Sequence, residues 1–275
     1  MNVTAHTRTV PLMISNWQRA PLNQEQIISL LGDSYWRVSL FESIPSTQIK
    51  LVELLKTEKI PAGTVLIADH QSAGRGRLTR TFETPPQVAV LLSTVLYPIR
   101  NSADQGWIPL IIGVAAANAI SKYCGLAPVL KWPNDILIGD LKVGGIIAEQ
   151  FDDCVVVGIG INVLQNSDEL PVPTATSLLL ECEEDGINAR EQLIAYLLHE
   201  IRSEFDAWNL AHDNVEILKK YSKLSATLGK QIKLDFQNGD TKESTATGIA
   251  ENGGLLISGG ETIVSADITH LRAIQ

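Results

Sequence analysis

Apolar residues recur at helical spacing in some stretches of this chain, run together in others, and break at glycine and proline. Residues 1–35 are thinly patterned: Pro11 and Pro21 interrupt them, and a short apolar helix is expected around Gln24–Leu31. Ile49, Val52 and Leu55 recur behind Ser46 and Thr47, predicting an amphipathic helix with a hydroxyl N-cap. Pro61-Ala-Gly63 ends it, and Thr64–Ala68 reads as a buried strand. A second strand is expected at Val88–Leu96. A long helix from about Gln105 to Tyr123 follows, with Trp107, Leu110, Ile111 and Val114 on one face and Gly125 as its stop. Val129–Trp132, Ile136–Ile138, Lys142–Phe151 and Val155–Val163 read as successive strands. The last three are joined by turns too short for anything but antiparallel pairing.

Asn188-Ala-Arg-Glu191 has the form of a capping box and predicts a helix to about Trp208, with another from Asp213 to Ser222. Beyond Gly229 the period shortens. QIKLDF, STATGIA, GLLISG and ETIVSA are β segments separated by Asn-Gly and Gly-Gly turns, which suggests a small antiparallel barrel. The organisation expected is a lead-in at 1–35, a large α+β domain at 36–225 and a barrel at 226–275.

Composition narrows the function. The 275 residues carry a net charge of −9, with 45% hydrophobic and 19% charged residues, as an ordered globular protein does. An acidic chain argues against a general nucleic-acid binder. The opening residues lack a signal-peptide pattern, and the apolar stretch Trp107–Ile120 is interrupted and short for a membrane span. Cys124, Cys154 and Cys182 are widely spaced, and the five histidines are scattered. That argues against a disulfide framework and a protein-built metal centre, and leads us to expect a cytoplasmic protein.

Against that acidic background, Gln71–Arg80 reads QSAGRGRLTR. Its glycines let the backbone approach a ligand closely, and its arginines offer forked donors suited to carboxylate and phosphate. On its own the loop fits a solvated surface turn equally well, and it matches neither a dinucleotide fingerprint nor a P-loop. Four further segments accompany it: Ser46-Thr47, Lys131-Trp-Pro-Asn-Asp135, Lys142-Val-Gly-Gly145 and Gly158-Ile-Gly-Ile-Asn162.

Taken together, in this order, these segments resemble the biotin protein ligases (biotin–acetyl-CoA-carboxylase ligases). That family is marked by a GRGRxGR loop, KWPND, K-x-x-G-I and G-x-G-I-N. The resemblance runs from about Phe41 to the C-terminus. It implies a class II synthetase-like catalytic domain, with a mixed or antiparallel sheet flanked by helices, and a C-terminal SH3-like barrel. It also implies that biotin and ATP, with Mg²⁺, form biotinyl-5′-AMP, and that biotin then passes to one lysine of the biotin carboxyl carrier protein.

The resemblance implies roles as well. Lys142 is the central lysine between biotin's carboxylate and the α-phosphate, with Arg75 and Arg77 closing over both and Arg80 in support. Ser46, Thr47 and Gln71 are expected at the ureido ring, and Gly74, Gly145 and Gly158 beside the biotin site. Trp132, Asn134, Asp135, Asn162 and Arg272 are expected on the ATP side. No metal ligand is assigned, although Asp135 could organise Mg²⁺. By sequence alone Lys142 also fits an exposed hairpin lysine, Trp132 a core residue, Ser46-Thr47 a helix cap and Arg272 a surface charge.

Thr79, Gln48 and Phe82 depart from the family's usual glycine, asparagine and tryptophan. The lead-in is short for a winged helix-turn-helix and lacks a basic recognition helix, so no operator binding is expected; the short, interrupted Trp107–Ile120 stretch likewise leads us to expect no membrane association. A monomer and a homodimer both remain open. Two other readings compete. A lipoate ligase would be expected to show an R-R-x-x-G-G-G loop, which is missing. A biotin sensor without transfer would not need Lys142.

Overall fold

The structure, a computed structural model, describes residues 19–77, 80–182 and 189–271. In chain order they form α1 (Gln24–Leu31), β1 (Arg37–Phe41), α2 (Thr47–Thr57), β2 (Thr64–Ala68) and β3 (Ala89–Leu96). Next come α3 (Ile108–Cys124), β4 (Val129–Lys131), β5 (Asp135–Ile138), β6 (Leu141–Phe151) and β7 (Cys154–Asn162). The short α4 (Leu178–Glu181), α5 (Arg190–Leu210) and α6 (Val215–Leu224) follow, then β8 (Gln231–Asp235), β9 (Thr241–Ile249), β10 (Leu255–Ile257), β11 (Thr262–Ile263) and β12 (Asp267–His270).

The first seven strands make one sheet, ordered β1-β2-β3-β7-β6-β5-β4. β1 and β2 pair in parallel across the α2 crossover, and every other neighbour is antiparallel, so the sheet is mixed. The last five strands form a separate antiparallel sheet, β11-β10-β9-β8-β12. The fold is therefore α+β, as the patterning predicts.

β3 and β7 are buried at every position, which explains their unbroken apolar runs. Alternate residues serve two layers. Val65, Ile67, Val90 and Leu92 join the large core with α3 and α5, while Leu66, Val95 and Val156 pack with Leu51 of α2 on the other face. α3 is apolar and, with the turn before it, long enough to cross a membrane by composition; most of it is buried in the core. Residues 102–107 form a 3₁₀ turn, and the α-helix starts at Ile108 with Pro109 in its first turn, three residues after the expected start.

Other departures have local causes. β1 was not foreseen, because its burial is partial and its sequence, RVSLF, begins on an exposed arginine. α6 starts at Val215, since Asp213 Oδ1 is occupied in accepting the Val215 amide hydrogen bond. α5 starts after Ala189, which offers no side-chain cap. Glu191 instead accepts from the Asn23 amide (3.0 Å), and Asn188 of the expected capping box lies outside the described residues. α1 matches its expected span, capped by Asn23 and ended by Gly32 at φ 67°, and it buries Ile27 and Leu31 in the main core.

Candidate active site

A cavity of about 480 Å³ opens between the first sheet and β12, and most of the residues singled out above line it. The N-terminus of α2 supplies one wall. Ser46 Oγ accepts from the Ile49 amide as the N-cap, so the capping role and a place on the cavity wall coexist. The Thr47 amide and hydroxyl both donate to Gln71 Oε1 (2.7 and 3.1 Å), and Thr47 Oγ1 meets Ser93 Oγ at 2.8 Å. The result is a small, fixed polar cluster at one end of the cavity.

Gly158 and Gly160 make the floor. A β-carbon on Gly158 would lie 2.8 Å from Gln48 Oε1 and 2.9 Å from Ile147 Cγ1; one on Gly160 would lie 2.7 Å from the Phe82 ring. Both positions therefore need a residue without a side chain in this arrangement.

The β5–β6 hairpin brings in the chemistry. Its register shifts between Ile136 and Leu137, and the irregularity re-aims Lys142, whose Nζ lies 2.5 Å from Asp135 Oδ1. Lys142 is anchored by its backbone as well: its amide donates to Thr174 O, and its carbonyl accepts from the Thr176 amide, both at 2.8 Å. A β-carbon on Gly145 would sit 3.4 Å from Lys142 Nζ, so Gly145 leaves the lysine room to reach the cavity. The alternative of a freely solvated hairpin lysine does not describe it.

The arginine loop forms the opposite wall. Arg75 Nη2 pairs with Glu149 Oε1 at 2.9 Å, and Arg80 pairs with Asp267 at the start of β12. Arg77 reaches Asn134 Oδ1 (3.5 Å) and Ser265 Oγ (3.2 Å). Burial pulls the Arg77 guanidinium below its ordinary pKa, while Asp267 and Asp135 oppose the shift. Burial likewise lowers Lys131, a lysine of the same cavity, against the pull of Asp135. Asn134 Nδ2 donates to Ile146 O at 2.8 Å. Trp132, joined to Pro133 by a cis peptide, is buried, and its indole donates to Gly253 O at 3.2 Å. It is both a core tryptophan and part of the cavity wall.

Two of the expected residues, Gly74 and Asn162, stand elsewhere. Gly74 does not line the cavity. It is the point where the loop touches itself, since a β-carbon there would lie 2.2 Å from Phe82 O. Asn162 is buried behind the wall, donating to Thr176 O (2.9 Å) and accepting from Gln165 Nε2 (3.0 Å). Arg272 and Thr79 lie outside the described residues. Conversely, Gln48, Ser93, Glu149, Lys131 and Asp267 were not assigned from sequence. Lys131 was in plain view inside KWPND, and Ser93 was signalled, with Thr94, as one of two hydroxyls in the otherwise apolar run VAVLLSTVL. Glu149 and Asp267 gave no signal beyond their charge. Among the described residues no three histidine, cysteine, aspartate or glutamate side chains come together as a metal-ligand set.

With that geometry in view, residues 40–166 match the biotin/lipoate A/B protein ligase family. The chain is 30% identical to a biotin–[acetyl-CoA-carboxylase] ligase of Mycobacterium tuberculosis, over 92% of this chain and 97% of that one. It is 29% identical to a bifunctional ligase/repressor of Escherichia coli K12, over 86% of this chain and 73% of the relative. In structure it is similar to the biotin protein ligase of Aquifex aeolicus solved with biotin and ATP, with a TM-score of 0.73 and 27% identity over 86% of this chain and 99% of that one. Near-complete mutual coverage in sequence, with the same fold beneath it, shows that the chain belongs to the biotin protein ligases of this family.

Proposed function

We propose that this protein activates biotin with ATP and transfers it to a lysine of a biotin carboxyl carrier protein. The observation that supports it most is the convergence of Lys142, paired to Asp135, with the Arg75–Arg77 loop on one cavity. In the first half-reaction a biotin carboxylate oxygen attacks the α-phosphorus of ATP, an O–P bond forms, and pyrophosphate leaves. Two anions must meet, so the barrier is lowered by cations held in place beforehand. Lys142 Nζ would bridge the carboxylate and an α-phosphate oxygen, with Arg75 and Arg77 covering them. In the second half-reaction an acceptor lysine, as the free amine, attacks the acyl carbon and AMP leaves. Asp135 is placed to take hydrogen bonds from Lys142 or the incoming amine.

The bicyclic ring of biotin would lie over Gly158, with its ureido group toward Ser46, Thr47 and Gln71. The adenylate would lie toward Trp132, Asn134 and Arg80. Mg²⁺ would arrive on the phosphates and be held chiefly by their oxygens, with Asp135 as the protein carboxylate nearest the lysine.

Biotin-dependent exchange of labelled pyrophosphate into ATP tests the reading. Exchange is expected with biotin and not with lipoate. Exchange with lipoate alone, or none with biotin, would overturn it. Transfer to a purified carrier domain, followed by mass, separates a ligase from a sensor.

A further inference from the structure

We propose that His270, as the neutral imidazole, is a positioning residue for the ATP side of the cavity, holding the Lys131–Asp135 segment in place through the Thr227 hydroxyl. ATP as the ligand of that side comes from the biotin-ligase reading, on which this assignment rests.

His270 ends β12 and pairs with Ile232 of β8. The three residues before it, Asp267, Ile268 and Thr269, line the cavity, whereas His270 itself does not. Its half-buried ring brings Nε2 to 3.3 Å from Thr227 Oγ1. Thr227 is fully buried, and the same oxygen accepts from the Trp132 amide at 3.1 Å. These are the two partners of that hydroxyl among the described residues. A hydroxyl has one proton and two lone pairs. The Trp132 N–H takes a lone pair, so the proton is left to donate to His270 Nε2, and the imidazole carries its own proton on Nδ1. With Nε2 protonated, the hydroxyl would have to accept twice, leaving its own proton without an acceptor in the interior.

This relay joins the second sheet to the segment that carries Lys131, Trp132, Asn134 and Asp135 to the cavity. Leu130 O accepts from the Ala226 amide at 2.8 Å, so the start of that segment hangs on residues 226–227. The imidazole decides which way the Thr227 proton points. The charged groups facing His270 come from three places: Lys131 of β4, Asp140 in the β5–β6 turn and Lys230 just before β8. Burial and the two lysines hold the imidazole below its ordinary pKa of 6.5, against the pull of Asp140. At neutral pH the ring is therefore an acceptor. Acidification below that ordinary value turns it into a donor and adds a cation beside Lys131, an ammonium that burial already disfavours.

The test is pyrophosphate exchange by the full chain at saturating biotin, with KM for ATP and kcat followed from about pH 8 to about pH 5.5. Wild type is compared with His270→Gln, His270→Leu, Thr227→Val and the double variant. Glutamine can place an amide oxygen near the position of Nε2 and does not titrate; leucine offers no acceptor. At about pH 7.5 His270→Leu should raise KM for ATP roughly two- to tenfold, the range of one hydrogen bond, without raising KM for biotin, and glutamine should restore most of the loss. The double variant should cost no more than Thr227→Val alone. As pH falls, KM for ATP should rise in wild type relative to His270→Gln, a ratio from which the protonation of ATP itself cancels. A ratio constant with pH, or a leucine variant that loses biotin and ATP equally, overturns the assignment while leaving the ligase reading intact. Absence of exchange with biotin in the wild type overturns the ligase reading and this assignment with it. Should leucine prevent folding, the ratio of wild type to His270→Gln decides alone.

Discussion

Lys142 shows how one residue acquires its environment. The hairpin irregularity turns it toward Asp135, Gly145 leaves space beside it, and two backbone hydrogen bonds to residues 174–176 fix its base. Lys142→Ala removes the cation proposed to bridge the carboxylate and the α-phosphate and leaves those backbone bonds in place. Adenylate formation should fall by at least about 10²–10³-fold, the scale of losing one preorganised charge, while the melting temperature stays near wild type. Turnover within tenfold of wild type in single-turnover quench would contradict the role. The cysteines give a second test. Burial pushes the Cys154 thiol up to about 11, whereas a hydrogen bond from Cys182 lowers Cys124. Iodoacetamide at about pH 8 should modify Cys124 well before Cys154, and equal labelling rates by mass spectrometry would refute this. At this scale the motif residues were legible because their chemistry is unusual for an acidic chain. Glu149 and Asp267 were not, since a carboxylate becomes part of a site only through the cation that folding places beside it.

Among the elements, α1 and β2 were readable to the residue because capping groups and turn glycines mark their ends, and α2 was readable at its Ser46 cap, although it stops at Thr57, short of Pro61. β1 was not, since an edge strand exposed at alternate positions carries a weak apolar signal. What joins these elements was hidden altogether. The Arg190 guanidinium at the start of α5 donates to Asp69 Oδ1 (2.7 Å), Ala89 O (3.0 Å) and Ala20 O (2.8 Å), while Asp69 Oδ2 accepts from the Leu22 amide (2.8 Å). Both side chains are at most 4% exposed. Asp69→Ala leaves a buried guanidinium uncompensated and should cost about 3–5 kcal/mol in urea unfolding; a loss under about 1 kcal/mol would show the pair to be dispensable. A second tie is pH-dependent. The Arg19 hydrogen bond holds Glu169 below its ordinary pKa of 4.5. The folded state thus binds that proton less readily than the unfolded chain does. The tie contributes fully above the ordinary carboxylate range and is lost as pH falls through the lowered value. The difference in melting temperature between wild type and Glu169→Gln should shrink on acidification from about pH 7 to about pH 3. A constant difference would show that the pair does not titrate as described.

At the scale of the whole molecule, the second sheet helps to build the cavity. Trp107 Nε1 donates to Glu251 O (2.7 Å), the Trp132 amide and indole to Thr227 Oγ1 (3.1 Å) and Gly253 O (3.2 Å), and β12 brings Asp267 to Arg80. The character of the C-terminal segment was legible in its short β runs; its seating against KWPND was not, because such contacts depend on tertiary geometry and leave no period in the sequence. Asp267→Asn should lower the KM for ATP by roughly two- to fivefold. It frees Arg80 and removes a carboxylate from the side on which the phosphates are proposed to lie, and the effect stays modest because Arg80 is largely exposed. An increased KM for ATP would reverse that assignment. Three cations of this site, Lys142, Arg75 and Arg80, are each already held by a carboxylate, from Asp135, Glu149 and Asp267. The site therefore carries its own tethered counter-ions. On the proposed function, anionic substrates entering it would trade places with these carboxylates instead of meeting bare charge, so stray chloride or inorganic phosphate would find little hold there, and the same substrates would free the loop from these carboxylates.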